Sequence, residues 1–357
     1  MPGELFPHSG QIRLVAVVFG GPAGEHEVSC ASAAAIVSHL DPRRYLVRLV
    51  YLTEDGEWMV GPCTVPAGPA AAQQLRELTQ HMDAKATRQP PMDALAEADV
   101  VMPALHGPFG EDGTAQALLD SIRVPYVGCG MAASVQAFDK DVAKRVLASY
   151  GIPVAPWVTL RHQGDRPSAD DRARLGLPVF VKPARAGSSV GISKVTAWDE
   201  LDAAVVGALK WDTKVLVEQA VRGREIDLAV LEHADGKIEA GPALEIHYGP
   251  KRAFFDYDAK YRDSGTEFVI PAPLEQGTRS ELGDLALRVF TLLGCRGLAR
   301  IDFILDGRRP VFNELNTFPG FTQASQYPRI WAARGMGLGE LLDRLIDTAL
   351  VRTQPGG

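Results

Sequence analysis

Residues 300–322 read RIDFILDGRRPVFNELNTFPGFT. Two apolar stretches, 303–305 and 311–312, flank the turn residues Asp306 and Gly307, which is a hairpin signal. Each strand nevertheless carries polar residues where a buried strand should not: Arg300 and Asp302 on the first, Glu314 and Asn316 on the second. Residues two apart on a strand face the same side. A hairpin turning near 306–309 therefore puts both pairs on one face, and three oxygen-bearing side chains converge there. Carboxylates that close repel unless a cation or an arginine lies between them. A hard oxygen set without sulfur or imidazole suits Mg2+ completed by phosphate oxygens and water. The competing reading is a structural salt-bridge network among Arg300, Asp302 and Glu314. The metal reading is favoured because NELNTFPGFT continues into a sharp Pro-Gly turn, which offers the Gly320 N–H to a bound anion.

A second chemical stretch is VFVKPARAGSSVGISKV, 179–195. Lys182 ends a strand and is followed by a small, glycine-bracketed loop. Successive backbone N–H groups in such a loop can cradle an anion, with Ser188 and Ser189 adding hydroxyl donors. The lysine precedes the glycines, so this is no Walker loop. The plain alternative is a tight glycine hairpin with an exposed lysine. Lys140, at a helix start behind Asp139, and Lys260, in FFDYDAKY, have similar potential, though either alone reads first as a solvated surface lysine. In VLVEQAVRGRE, Glu218 ends an apolar strand and Glu225 follows seven residues on. A hinge between two sheets there could present backbone and one carboxylate to an adenine edge. His106 ends a strand before a glycine and is a site candidate, or else a satisfied buried histidine.

These residues need elements to hold them. LVAVVFGG (14–21) reads as a buried parallel strand running into a glycine turn, VSCASAAAIVSHL (28–40) as a helix, YLVRLVYLT as a second strand and ADVVMPALHG (98–107) as a third. VPYVGCG reads as a further short strand, and 161–178 as a polar surface connection. Strands separated by helices imply a parallel sheet with functional loops at the strands' carboxyl ends. The expected organisation is an N-terminal parallel-sheet domain over 1–137, a central unit over 138–220 and a C-terminal unit over 221–357. The stretch 247–268, polar, glycine-flanked and long, is expected to act as a mobile lid.

Bulk properties set the frame. The 357 residues suffice for two or three domains, and 46% hydrophobic with 23% charged content is ordinary for a globular chain. A net charge of −7 argues against a general nucleic-acid or membrane surface, so phosphate would be handled in a local basic pocket. The four cysteines lack metal-ligand spacing and read as reduced cytosolic thiols. No export signal and no stretch of roughly 20 apolar residues is visible, so the expected location is cytoplasmic.

Taken in order, GGPAGEHEVS, ALHGPFGEDG, FDKDVAK, VFVKPARAGSSVGISKV, VLVEQAVRGREI, FFDYDAKY, GCRGLARIDF and FNELNTFPGFTQAS resemble the D-alanine–D-alanine ligase family of the ATP-grasp superfamily, over about 13–350. The resemblance implies an α/β protein (α+β in the ATP-grasp part) of three domains, with ATP between the central and C-terminal sheets. It implies two Mg2+ ions, with Mn2+ as an alternative, and a dipeptide made through an acyl phosphate for peptidoglycan precursor synthesis. Lys140 and Lys182, with the Ser189 loop, would hold the nucleotide phosphates, and Lys260 the γ-phosphate. Glu218 and the backbone near Val221 would read adenine, and Glu225 the ribose. Asp302, Glu314 and Asn316 would hold the metals, Glu314 bridging. Glu27, with His106 nearby, would bind the first D-alanine. Arg300 and the Gly320 N–H would stabilise the oxyanion, and Ser325 with the backbone of Gln326 would hold the second D-alanine. Ser188, Tyr261 and Glu27 would form a hydrogen-bonded triad closing the loop. The resemblance also implies a homodimer. Ala186, Ala324, Phe255, Gln323 and Gln326 depart from the common pattern and leave the acceptor open among D-alanine, D-serine, D-lactate and a specialised metabolite. A non-catalytic nucleotide-binding regulator is the reading from another class.

Overall fold

The computed structural model of the protein describes residues 12–22, 24–80, 86–247 and 265–352. Lys260 and Tyr261, and most of the expected lid, lie outside the described residues. Three sheets carry the chain. In the first, Arg13–Gly20 is the central strand, parallel to both Tyr45–Leu52 and Val100–Ala104. All its residues from Val15 to Phe19 are at most 1% exposed, which is why the run reads as continuously apolar rather than alternating. It ends at Gly20 (φ 94°), where a Cβ would lie 2.2 Å from the Leu52 carbonyl, so only glycine fits the turn.

This sheet is mixed rather than purely parallel. Trp58–Val60 and Val65–Pro66 pair antiparallel with Tyr45–Leu52, and Thr87–Arg88 extends the edge. Short antiparallel edge strands of this kind carry too few residues for their period to show in sequence. The stretch VPYVGCG makes a single bridge, Val101 to Tyr126, instead of a strand. The connection 161–178 contains a helix, Ala169–Leu175, started by a Ser168–Asp171 capping box.

The second sheet is antiparallel, in the order Trp157–Leu160, Val215–Gln219, Val179–Pro183, Ser193–Val195. The third runs Glu267–Val269, Leu244–His247, Arg224–Glu232, Leu298–Asp306, Arg309–Asn316, with Ile238–Ala240 on the side of Arg224–Glu232. The C-terminal helix Leu338–Arg352 does not pack only on the sheet it follows. Leu341, Leu345 and Ile346 share one apolar cluster with Val15, Val17 and Phe19 of the first sheet. Arg44 reinforces the joint by pairing with Asp343 at 2.5 Å and Asp347 at 3.5 Å. The first and third sheets are thus held together around the loops that follow their strands.

Candidate functional site

The hairpin forms as its alternation implies. Leu298–Asp306 and Arg309–Asn316 pair antiparallel around a two-residue loop, Gly307-Arg308, with Asp302 opposite Glu314 and Arg300 opposite Asn316. The register shifts just past Asp302, leaving Asn313 as the extra residue between the Glu314 and Phe312 pairings. All four polar side chains share one face. Arg300 holds Asp302 in a two-pronged contact, Nε to Oδ1 and a terminal nitrogen to Oδ2, each 2.8 Å, and the Asn316 amide donates to the same Oδ2 at 3.1 Å. Lys140 Nζ stands 3.8 Å from Glu314. Burial would lower the Arg300 pKa, but Asp302, Asp227 and Glu314 outweigh it and raise it, so the guanidinium stays charged. Among the described residues no cluster of three or more His, Cys, Asp or Glu forms a ready-made cage. The all-oxygen set of Asp302, Glu314 and Asn316 instead has the chemistry of a hard-cation site completed by a phosphate-bearing ligand.

Sequence reasoning missed Asp227. It lies opposite Asp302 on Arg224–Glu232, only 2% exposed, and accepts from the Gln326 amide at 2.8 Å, with Arg300 Nε 3.6 Å away. Burial, then the Asp302 charge, push its carboxyl well above the usual range. The only signal for it was a polar residue inside the apolar run IDLAVL.

One cleft gathers Lys140, Lys182, Ser189, Glu218, Val221 and Glu225 with the hairpin. Lys140 is placed by a helix start. Asp139 caps Lys140–Ser149 by accepting from the N–H groups of Asp141 and Val142, and the Lys140 N–H is fixed to Ala184 O at 3.0 Å. Its Nζ donates to Ala186 O at 2.8 Å, which ties it to the serine loop. Ser188 and Ser189 of that loop adopt φ 48° and 59°, a left-handed conformation costing about 1 kcal/mol or more per residue. Strain of that kind persists where the loop's shape matters, as in an anion cradle.

Glu218, expected to read adenine, is engaged by two lysines. One of its oxygens accepts from Lys182 at 3.0 Å and the other from Lys144, which is wholly buried beneath Trp157. Burial would raise the Glu218 carboxyl, but Lys144 and Lys182 outweigh it and lower it. Burial pulls the Lys144 amine down to about 8, with Glu218 opposing. Lys144 lies one helical turn after Lys140, so i,i+4 spacing was the signal that could have found it.

A second cleft meets the first at Lys140, Arg300, Glu314 and Gln326, and adds Glu25, Glu27, His106, Ser188, Asn316, Gly320 and Ser325. The triad expectation needs correction here. Ser188 Oγ donates to Glu25, not to Glu27. Glu25 precedes the helix His26–His39 and faces the serine loop, whereas Glu27 is one residue inside the helix. The other Glu25 oxygen is buried with no hydrogen-bond partner among the described residues. Ser325 immediately precedes the helix Gln326–Ala333, accepts the Thr322 N–H at 3.1 Å and shares a hydrogen bond with the Thr322 hydroxyl at 2.8 Å. A Cβ on Gly320 would stand 2.8 Å from Ser325 Oγ, so glycine is what lets the two approach. Glu111, also missed, lines this second cleft, its pKa raised to about 7 by burial and then by Glu25.

A family model described as D-ala D-ala ligase N-terminus matches residues 14–129, and one described as D-ala D-ala ligase C-terminus matches 146–347. The chain is 44% identical over 365 residues to the D-alanine–D-alanine ligase of Mycolicibacterium gilvum, covering 95% of this chain and 97% of that one. It is 45% identical over 352 residues to the Nocardia farcinica D-alanine–D-alanine ligase, with coverage of 95% and 97%. Among solved structures, the VanG D-Ala:D-Ser ligase of Enterococcus faecalis superposes with TM-score 0.83 at 32% identity, covering 95% and 100% of the chains. The Coxiella burnetii D-alanine–D-alanine ligase superposes at 0.81 with 30% identity over 96% and 95%. The match of both family halves, the identity over 95% of the chain and the close structural superposition lead to one conclusion: the chain belongs to the D-alanine–D-alanine ligase family of ATP-grasp enzymes.

Proposed function

We infer that the protein is an ATP-dependent ligase that joins two D-alanines into D-alanyl-D-alanine through D-alanyl phosphate, the dipeptide serving peptidoglycan precursor synthesis. The observation that carries this is the meeting of a lysine-lined phosphate cleft with a second, carboxylate-bearing cleft at the Arg300–Asp302–Glu314–Asn316 face.

A carboxylate is a poor electrophile until phosphorylated, and phosphoryl transfer needs alignment and charge neutralisation more than covalent help. Lys140, Lys182 and the Ser188–Ser189 loop neutralise and orient the nucleotide phosphates, with Val221 and Glu225 along the nucleoside end of the cleft. Asp302, Glu314 and Asn316 would hold Mg2+, which supplies Lewis-acid neutralisation of the phosphates when bound. Glu25, whose second oxygen has no partner among the described residues, takes the donor's ammonium in place of Glu27. In the first step a donor carboxylate oxygen forms a bond to the γ-phosphorus as the bond to ADP breaks. In the second the acceptor's free amine forms the C–N bond, and the C–O bond to phosphate breaks after the amine proton is shed. Arg300 and the Gly320 N–H face the oxyanion that develops between these events. The Ser325 hydroxyl and the N–H groups opening the Gln326–Ala333 helix receive the acceptor's carboxylate.

The test is ADP release by the full chain given ATP and Mg2+. Release is expected only when D-alanine is added, and to stop on chelation and resume with added Mg2+. ADP release that ignores D-alanine would contradict the reading.

A further inference from the structure

The loop 317–321, which carries Gly320, is not held by its own sheet alone. Ser32, fully buried in the helix His26–His39, accepts from the Phe321 N–H at 3.2 Å and lies 2.9 Å from His106 Nε2. His106 Nδ1 is 3.1 Å from the Phe318 carbonyl. Glu111 receives the Phe318 N–H at 3.3 Å on one oxygen and the Gly107 N–H at 2.9 Å on the other. Three side chains of the N-terminal sheet's helix and loops thus grip both polar backbone groups of Phe318 and the N–H of Phe321, bracketing Gly320.

The proton positions follow from donor and acceptor types. A carbonyl oxygen can only accept, so His106 carries its proton on Nδ1. Its burial disfavours the charged ring, which leaves Nε2 as an acceptor. Ser32 then donates its single hydroxyl proton to Nε2 and receives the Phe321 N–H on a lone pair. Every group in the chain from Phe321 N–H to Ser32, His106 and Phe318 C=O has one consistent role, and both ring nitrogens of His106 are occupied by the protein.

We propose that Ser32, His106 and Glu111 form a positioning brace that sets the 318–321 backbone and so aims the Gly320 N–H, and that His106 acts through this loop rather than by binding the donor substrate. The proposal rests on the ligase reading above, since it concerns the geometry of that reaction. A loop displaced by about 1 Å is enough to cost on the order of a hundredfold in rate, so a brace that acts only through the loop backbone has a large lever.

The test has two independent arms. In the first, Ser32→Ala and His106→Ala are each expected to lower kcat about tenfold or more, with the KM for donor D-alanine and for ATP within about threefold of the parent. The double variant should lose no more than His106→Ala alone, because one chain of bonds is broken either way. His106→Asn, whose amide can replace the Nδ1 donor, should recover part of the loss. A silent Ser32→Ala, losses that multiply, or a raised donor KM with kcat intact would overturn the brace. In the second arm, nitrogen-15 NMR of the unmodified protein at pH 7 needs no variant to fold. It should show His106 as the neutral Nδ1–H tautomer, and an Nε2–H tautomer or an imidazolium would refute the proposal. An unmodified protein that makes no dipeptide would instead refute the ligase reading, leaving the NMR result to judge the brace by itself.

Discussion

Replacing Glu314 by Gln is expected to reduce D-alanine-dependent ADP release at least about a thousandfold, because charge neutralisation at the transferring phosphoryl group is most of what such an active site contributes. Glu314 stands opposite Asp302 and 3.8 Å from Lys140, so its carboxylate is the point where the proposed metal face meets a lysine of the proposed phosphate cleft. A glutamine keeps the shape and one acceptor but removes the charge that would bridge two cations. The side chain is 25% exposed, so the thermal midpoint should move by less than about 0.5 kcal/mol equivalent. Full activity in a folded Glu314→Gln variant would remove the metal assignment.

A larger effect on stability is expected at Glu218→Gln. Glu218 is the partner of both Lys144 and Lys182, and Lys144 has no solvent exposure at all. Breaking a buried pair by removing one member leaves an uncompensated charge, a loss of about 3 kcal/mol or more. The loss should depend on pH in a defined direction. Lys144 has a folded pKa of about 8, below its unfolded value, so the unfolded chain binds more protons across that interval and stability from this group rises with pH there. Without Glu218 the folded value drops further, so the deficit is small near pH 10 and grows as pH falls through 8 towards that lower value. Melting curves at pH 7 and pH 9.5 check this. An unchanged midpoint at pH 7, or a deficit that grows with pH, would contradict it.

How much of this was legible in the sequence varied with sequence distance. The hairpin was, because period-two alternation and a turn signal are local, and they put Arg300, Asp302, Glu314 and Asn316 on one face. The extra residue Asn313 was not, since nothing in VFNEL marks where a strand slips by one. Lys140 and Lys182 were legible from their helix-start and strand-end positions, respectively. The choice between Glu25 and Glu27 was not available locally. The two flank a helix start two residues apart, and which one meets Ser188, 163 residues away, is decided by how the serine loop docks. The same holds for Ser32 and Phe321, separated by 289 positions, and for Asp227, whose polarity was visible but whose neighbours Asp302 and Gln326 were not. Residues such as Ser32, whose partners lie hundreds of positions away, have no local pattern that names those partners.

The central claim is that D-alanine occupies both subsites. Its most direct test is mass spectrometry of the product formed by the full chain from ATP and Mg2+ with D-alanine, D-serine and D-lactate in competition at neutral pH. The Gln326 amide is held by Asp227, which leaves it less free to hydrogen-bond an acceptor hydroxyl. An extra hydroxyl is poorly rejected by shape alone, so minor D-alanyl-D-serine is compatible with the account. The predicted result is D-alanyl-D-alanine as the main product, while predominance of D-alanyl-D-lactate or D-alanyl-D-serine would contradict it.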